Sequence, residues 1–310
     1  MRRMAWSIVG TLIATVISTA ASPAVHAATP PPFSGTVWLT PNILTPDSPT
    51  DYVGIASTGT GERRTFDRRT GWVTQNAYLF RADYSGAPSV EVIVDPEFGS
   101  VAAAQEQAAR YARVVGQLPH ACRTQVDALW IHAGDKDAGG GNRSLLIHTD
   151  YGSKNWPYIE EVLTHECAHT SLDSAWNGSV SADAWATAAA TDPGFLSTYA
   201  ADHPTGEDVA ETFLPYVALR LDGGMAYSAS QLATIRAQIA NRAAYLDSLN
   251  LDLLPTVTGT AVAASTPSAT TSTSKPAAKP RPKHPCAKPR IRGTEGLSTR
   301  GRHGCGTKPR

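Results

Sequence analysis

Two histidines and a glutamate in one short segment carry the most chemical information in this chain. The segment reads His-Glu-Cys-Ala-His, from His165 to His169, with Glu166 directly after the first histidine. On a helix, residues four apart lie on the same face, so both imidazoles can bind one cation. Neutral imidazole is a usual zinc ligand, and a neighbouring carboxylate can deprotonate a water that the cation has acidified. The spacing therefore predicts a hydrolytic zinc site, and a helix with two surface histidines is the alternative.

A catalytic zinc site needs a third protein ligand and an open position for water. A third histidine at position 175, with a glycine at 172, is one arrangement, but these positions hold Ala175 and Leu172. Glu207 and Glu211 offer the other arrangement, because they lie four apart on a predicted helix. One carboxylate can then bind the metal while the other accepts a hydrogen bond from a ligand histidine. The alternative is a solvated acidic first turn, which a helix N-terminus favours by its dipole alone.

The two patterns together resemble a known family. A His-Glu-x-x-His helix followed by Glu-x-x-x-Glu on a later helix is similar to the gluzincin class of metallopeptidases, which includes thermolysin-like and lethal-factor-like members. The stretch from Tyr199 to Glu211 is similar to the Tyr…Glu-x-x-Ala-Glu stretch of the lethal-factor-like group. These motifs cover about residues 139–213. The whole body also looks like a group of exported bacterial proteins of zincin type.

The resemblance implies roles for individual residues. It makes Glu207 the third zinc ligand and Glu211 a carboxylate behind the ligands, and it makes Tyr199 a donor to the developing oxyanion. His203 stands where the lethal-factor-like group has asparagine, so it is a second candidate donor. Asp173, four residues after His169, matches a position of thermolysin-like helices and is expected behind the ligands as well. For Tyr199, a buried structural tyrosine is the alternative.

A glycine-rich loop precedes the motif helix. Peptides that bind zincins lie along a sheet edge, and the strand predicted at Ser144–Thr149 is the expected edge strand. Gly140, Gly141 and Asn142 would let a substrate backbone approach closely. A plain flexible turn is the alternative. A satisfied structural role is favoured for His132 and His148, which stand at predicted strand ends.

Four cysteines fit an exported chain in which disulfides persist. Four cysteines allow three sets of pairs, and position favours Cys122–Cys167 in the body and Cys286–Cys305 in the tail, without deciding between them. Cys167 lies two residues past His165 and so points away from the metal, which favours a disulfide or core role.

The two ends of the chain have their own character. Arg2, Arg3 and the apolar run that follows predict a signal peptide over 1–27, with a membrane anchor as the alternative. Residues 255–310 are rich in Pro, Ser, Thr and Lys, which predicts a disordered tail. This tail has 11 Lys and Arg and one acid, whereas the residues between leader and tail have 14 basic and 26 acidic side chains. The tail would suit an anionic cell-wall polymer, but it has no aromatic residues for stacking on nucleic acid.

The order of elements predicts an α+β fold over residues 28–254. Alternating runs at Thr36–Leu39, Tyr52–Ala56, Ala77–Ala82, Val90–Val94 and Ala128–His132 predict strands, and Ser100 caps a predicted helix. A helix should run from Pro157 to Leu172, and later helices should begin at Ser181, Pro193, Thr205 and Ser230. We expect a zincin-like molecule with an N-terminal lobe of mixed sheet plus motif helix, and a helical C-terminal lobe.

These observations converge on one expectation. The chain should be a secreted, monomeric zinc metallopeptidase with one Zn²⁺ per chain, acting on peptides or proteins. Two alternatives stay open, namely a non-catalytic zinc-bearing module at the cell surface and a hydrolase of cell-wall peptides.

Overall fold

The computed structural model describes residues 30–36, 43–221 and 227–258. The predicted signal peptide, nearly all of the predicted strand Thr36–Leu39 and the tail with Cys286 and Cys305 lie outside these residues. Within them, no helix is both long and apolar enough to cross a membrane. The side chain of Thr256 is buried, and its hydroxyl donates to the Gln117 carbonyl at 2.7 Å, so the packed body continues past residue 254.

A six-stranded mixed sheet forms the first half of the described chain. Its strands are β1 (Tyr52–Asp67), β2 (Gly71–Tyr84), β3 (Val90–Val94), β4 (Ala128–His132), β5 (Gly139–Gly141) and β6 (Ser144–His148), in the spatial order β1-β2-β3-β4-β6-β5. The central strands β3, β4 and β6 are parallel, while β1, β2 and β5 join as antiparallel strands. The predicted bounds of β3 and β4 are confirmed. β1 and β2 are much longer than predicted. The prediction fell short because β1 is an edge strand, and its largely exposed side chains show no apolar alternation.

Nine α-helices lie in the described residues: α1 (Val101–Val115), α2 (His120–Arg123), α3 (Thr149–Lys154), α4 (Ile159–Ser171), α5 (Ala182–Thr191), α6 (Thr198–Asp202), α7 (Asp208–Arg220), α8 (Ala229–Gln238) and α9 (Ala240–Ser248). Ser100 and Ser181 cap α1 and α5 as predicted, each accepting a hydrogen bond from a first-turn backbone N–H. The helix predicted to start at Pro193 begins instead after Ser197, whose hydroxyl caps α6. The single last helix predicted from Ser230 is two helices, and the first begins with a capping box at Ser228.

The core lies between one face of the sheet and the helices. Alternate strand residues such as Val92, Leu129 and Ile147 point into a large apolar cluster that also contains Tyr111 of α1 and Leu163 of α4. The intervening residues, including Ile93, Trp130 and Leu146, form a smaller cluster on the opposite face. This period-2 division is the expected result of strand geometry. The fold is α+β, and helices α5–α9 follow the sheet and α4 in sequence.

Candidate metal centre

Helix α4 carries the motif and is buried along nearly its whole length, so its polar side chains are buried together with its apolar ones. It packs against both β5 and α7. His165 and His169 lie one turn apart on this helix, and their Nε2 atoms are 3.1 Å from each other. The two imidazoles therefore face one point, as the spacing predicted.

Glu207 reaches the same point from the start of α7. Its Oε2 lies 3.2 Å from Nε2 of His165 and 3.1 Å from Nε2 of His169. Three ligand atoms in an almost equilateral triangle are what one small cation requires. Tetrahedral zinc with bonds of about 2.0–2.1 Å places its ligand atoms roughly 3.3–3.4 Å apart. The two imidazoles and one carboxylate thus fit zinc in both chemistry and spacing, and three ligands leave a fourth position open.

A buried ion network holds the beginning of α7 in place. The guanidinium of Arg242 is fully buried and donates to Asp192 and to Asp208, the residue next to Glu207. Asp208 also accepts a hydrogen bond from Nε1 of Trp185 at 2.8 Å. Because removing one partner of such a buried pair costs about 3–5 kcal/mol, the network fixes the position of the first turn of α7.

A carboxylate lies behind each histidine. Nδ1 of His165 is 3.4 Å from Oε1 of Glu211, and Nδ1 of His169 is 3.6 Å from Oδ2 of Asp173. Glu211 is held by Ser197, whose Oγ donates to Oε2 at 2.6 Å. A carboxylate at Nδ1 favours the tautomer that leaves Nε2 free for a metal. The structure therefore places Glu211 and Asp173 behind the two histidines, and Ser197, which we did not single out from the sequence, joins them.

The centre attracts positive charge. Burial lowers the pKa of His169, but hydrogen bonds to Asp173 and Glu207 and the charges of Glu207 and Glu166 outweigh it and raise that pKa to about 10. The pKa of His165 is also raised, and that of Glu207 is lowered by its two histidine neighbours in spite of burial. Several carboxylates around two imidazoles thus stabilise a cation at this point.

Glu166 is mostly buried beside the two histidines, and its charge acts on both of them. Its charge also raises the pKa of Asp137, which precedes the outer strand β5. The backbone of Glu166 touches that strand. A Cβ atom added to Gly140 would lie 1.9 Å from the Glu166 carbonyl oxygen, so only glycine fits here.

The structure separates the two predicted oxyanion donors. The hydroxyl of Tyr199 donates to Oε1 of Glu207 at 3.1 Å, so it lies directly beside the third ligand. The ring of His203 packs edge-on against the Tyr199 ring with centroids 4.9 Å apart, and this side chain is exposed. Tyr199 thus lies at the centre, whereas His203 contacts Tyr199 from the side that is further from the three ligand atoms.

The prediction that Ser144–Thr149 is the edge strand is wrong, because β6 lies between β4 and β5. The strand at this edge of the sheet is β5. Its three residues are glycines, so no side-chain pattern could have predicted the strand from the sequence. Asn142 and Arg143 both have positive φ and form a two-residue turn to β6. Gly140 lies on the edge beside Glu166, Gly141 is buried against Trp176, and Asn142 belongs to the exposed turn.

Cys122 and Cys167 form a disulfide with Cα atoms 5.1 Å apart. The bond joins α2 to the face of α4 opposite the histidines. It therefore anchors α4 but does not take part in the candidate centre. This result resolves the pairing of the two body cysteines. The other predicted pair lies outside the described residues.

A second group of possible ligands, Asp67, Asp95 and His132, lies at the carboxyl ends of the strands. Its carboxylates already have donors: Nδ1 of His132 and Nε2 of Gln75 contact Asp95 at 2.9 and 2.8 Å, and Arg69 binds Asp67. These residues form a buried network of ion pairs and hydrogen bonds. The neighbouring His148 contacts the Ala133 carbonyl through Nδ1 at 2.8 Å, and burial lowers its pKa. His148 thus has partners of its own, whereas Nε2 of His132 is buried without a hydrogen-bond partner among the described residues.

Comparison of the chain with protein-family models, curated proteins and solved structures finds no match. Functional inference for this protein therefore depends on the geometry of the centre and on the motifs.

Proposed function

We propose that this protein is a secreted zinc-dependent metallopeptidase of the gluzincin type. The observation that carries the proposal is the triangle of Nε2 of His165, Nε2 of His169 and Oε2 of Glu207, with sides of 3.1–3.2 Å. A glutamate follows the first histidine, and a carboxylate lies behind each imidazole. A purely structural zinc site would be closed by four protein ligands, whereas the described part of the chain offers three at this point.

The residues divide the chemistry among them. A zinc ion bound here supplies a Lewis acid that acidifies water and polarises a carbonyl. Glu166 takes the proton from the attacking water and returns it to the leaving amine. Glu211 and Asp173 hold the imidazoles in the tautomer that binds metal. The hydroxyl of Tyr199, next to Glu207, is placed to donate to negative charge that develops on the substrate oxygen.

Peptides are the favoured substrate because an open sheet edge adjoins the centre. In a hairpin closed by a two-residue turn, the flanking residues exchange hydrogen bonds, so Gly140 directs its backbone N–H and carbonyl away from β6. An extended peptide can pair with these groups irrespective of its sequence. Since Gly140 touches Glu166, such a peptide would pass beside the proposed base.

The disulfide supports the export part of the proposal. Disulfides persist in oxidising compartments and are rare in the cytosol, so Cys122–Cys167 fits a chain that leaves the cell.

Metal analysis and a peptide-library digest of the purified protein test the proposal. We expect about one zinc per chain and cleavage that a chelator abolishes. Glu207→Ala should release the metal, whereas Glu166→Gln should keep it and lose hydrolysis. Glu106→Gln, an exposed glutamate of α1, is the matched control and should behave as the unmodified protein.

The outcomes separate the competing functions. Bound zinc without turnover of any peptide or of isolated cell walls would favour a binding module and refute the peptidase proposal. Release of wall peptides alone would narrow the substrate to the cell wall. Full hydrolysis by Glu166→Gln would show that the proposed base is wrong.

A further inference from the structure

The turn of the long β1–β2 hairpin reaches the beginning of the edge strand β5. Arg68 is the first residue of this turn, and its backbone N–H points to Nε2 of His148 at 3.4 Å. Its side chain extends along the sheet edge, where Nη2 donates to the Ala138 carbonyl at 2.7 Å. The same nitrogen lies 3.2 Å from the position of a Cβ atom added to Gly139. The hairpin thus places an exposed guanidinium at one end of the open edge.

The contact between Arg68 and the Ala138 carbonyl marks the end of the stretch of β5 with which a peptide can pair. Backbone groups of alternate residues face the same side of a strand, so the Ala138 carbonyl faces the open side together with Gly140. That carbonyl is occupied by Arg68, and Gly140 is left open. Residues two apart on a strand are separated by about 7 Å. A peptide passing Gly140 and Glu166 therefore meets the guanidinium about two residues further along.

The guanidinium has donors to spare. Arginine has five N–H donors, and the hydrogen bond to Ala138 uses one of them. Among the described residues, no carboxylate forms an ion pair with it. Its charge acts on the half-buried Asp137, whose pKa is raised mainly by burial, lowered by Arg68 and raised by the charge of Glu166. The donors that Ala138 does not use are therefore available to a ligand.

We propose that Arg68 is a specificity-determining residue that binds a carboxylate of the substrate about two residues from the cleaved bond. This inference rests on the proposed function. The blocked edge and the planar guanidinium favour a carboxylate group, which can come from the C-terminus of a short peptide or from an Asp or Glu side chain.

Matched peptides of one sequence test this proposal. A library peptide that is cleaved, or that binds the zinc-loaded protein if none is cleaved, is made with a free C-terminal carboxylate and as its amide. It is also made with Asp or Asn at the second residue on either side of the cleaved or central bond. We expect kcat/KM to be about 10- to 100-fold higher for one carboxylate form than for its neutral partner. The pair that shows the preference identifies the source of the carboxylate.

Three variants test the role of Arg68 itself. Arg68→Gln retains a donor for the Ala138 carbonyl but has no charge, so the preference should fall to about one. Arg68→Lys retains the charge without the planar fork and should show an intermediate preference. Arg64→Ala is the matched control, since Arg64 is an exposed arginine of the same hairpin that stacks on Trp72, and the preference should stay unchanged.

A binding measurement keeps this inference distinct from the proposed function. Calorimetry with zinc-loaded Glu166→Gln protein and the same peptides needs no turnover. Tighter binding of the carboxylate form, lost in Glu166→Gln/Arg68→Gln, would support the inference even if the unmodified protein cleaves nothing. Equal binding of the charged and neutral forms, or a preference that survives Arg68→Gln, would overturn it.

Discussion

Glu160 offers a sharp test of the electrostatics of the metal helix. It lies in the first turn of α4, is fully buried, and neither of its carboxylate oxygens has a hydrogen-bond partner. Burial raises its pKa from 4.5 to about 7, against a smaller lowering by its own backbone N–H. Among the described residues no neighbouring charge contributes. Glu160 is thus a carboxyl group that folding forces to keep its proton.

The sign of the pH dependence follows from proton binding. Between pH 4.5 and about 7 the folded protein keeps the Glu160 proton and the unfolded chain releases it, so this group lowers the stability as the pH rises. Below that interval the ionisation of Glu160 does not change the free energy of unfolding. Above it the loss of stability from ionisation is complete, at roughly 3 kcal/mol. Glu160→Gln is nearly isosteric and cannot ionise. The variant should therefore be more stable than the unmodified protein at pH 8, by about 10 °C in Tm.

Urea and thermal denaturation of both proteins at pH 4.5, 6, 7 and 8 give the measurement. The contribution of any other group that titrates in this range cancels in the difference between variant and unmodified protein at each pH. Glu106→Gln, exposed on α1, controls for the loss of one negative charge. A difference that stays constant with pH, or a variant less stable at pH 8, would refute the reasoning and show that Glu160 is ionised and paired.

Three further predictions concern the centre and its anchor. Glu211→Gln removes the carboxylate behind His165 but none of the three ligands, so zinc affinity should fall about 10- to 100-fold in chelator competition; unchanged affinity would mean that Glu211 serves only Ser197. Tyr199→Phe removes the hydrogen bond to Oε1 of Glu207 and should weaken zinc binding about tenfold in the same assay, a result that a tyrosine acting on substrate alone would not produce. Changing Cys122 and Cys167 to serine opens a link between residues 45 apart and should cost about 4 kcal/mol of unfolding free energy. If denaturation midpoints are equal with and without the bond, the disulfide does not stabilise the fold.

Part of the fold could be predicted because local rules governed it. The bounds of β3 and β4 followed from short β-rich runs, and Ser100 and Ser181 capped their helices as hydroxyl residues do. The unusual length of β1 could not be predicted, because an exposed strand has no burial pattern and is defined by its partner β2. The break between α8 and α9 could not be predicted either, because the residues of both helices are compatible with one continuous helix.

The centre divides in the same way. The geometry of His165 and His169 follows from the helical repeat alone, so five residues of sequence sufficed to predict it. Glu207 was proposed from a pattern, but its convergence on the histidines depends on the packing of α7 against α4 and on the buried Arg242 network. Helix geometry cannot supply that contact, because the residues are about 40 positions apart in the chain.

The edge strand and its guanidinium belong wholly to the tertiary structure. Three glycines have no side-chain pattern, and they form β5 only because β6 offers a partner and α4 leaves no space for a Cβ atom at Gly140. Arg68 reaches this edge because the turn of the long β1–β2 hairpin contacts His148 and Ala138, which its own sequence does not reveal. The placement of His165 and His169 on one face of α4 could therefore be predicted from the order of residues, since short-range spacing is set by backbone geometry. The third ligand, the open edge and the cation beside it depended on which buried faces pack together, a property of the whole chain.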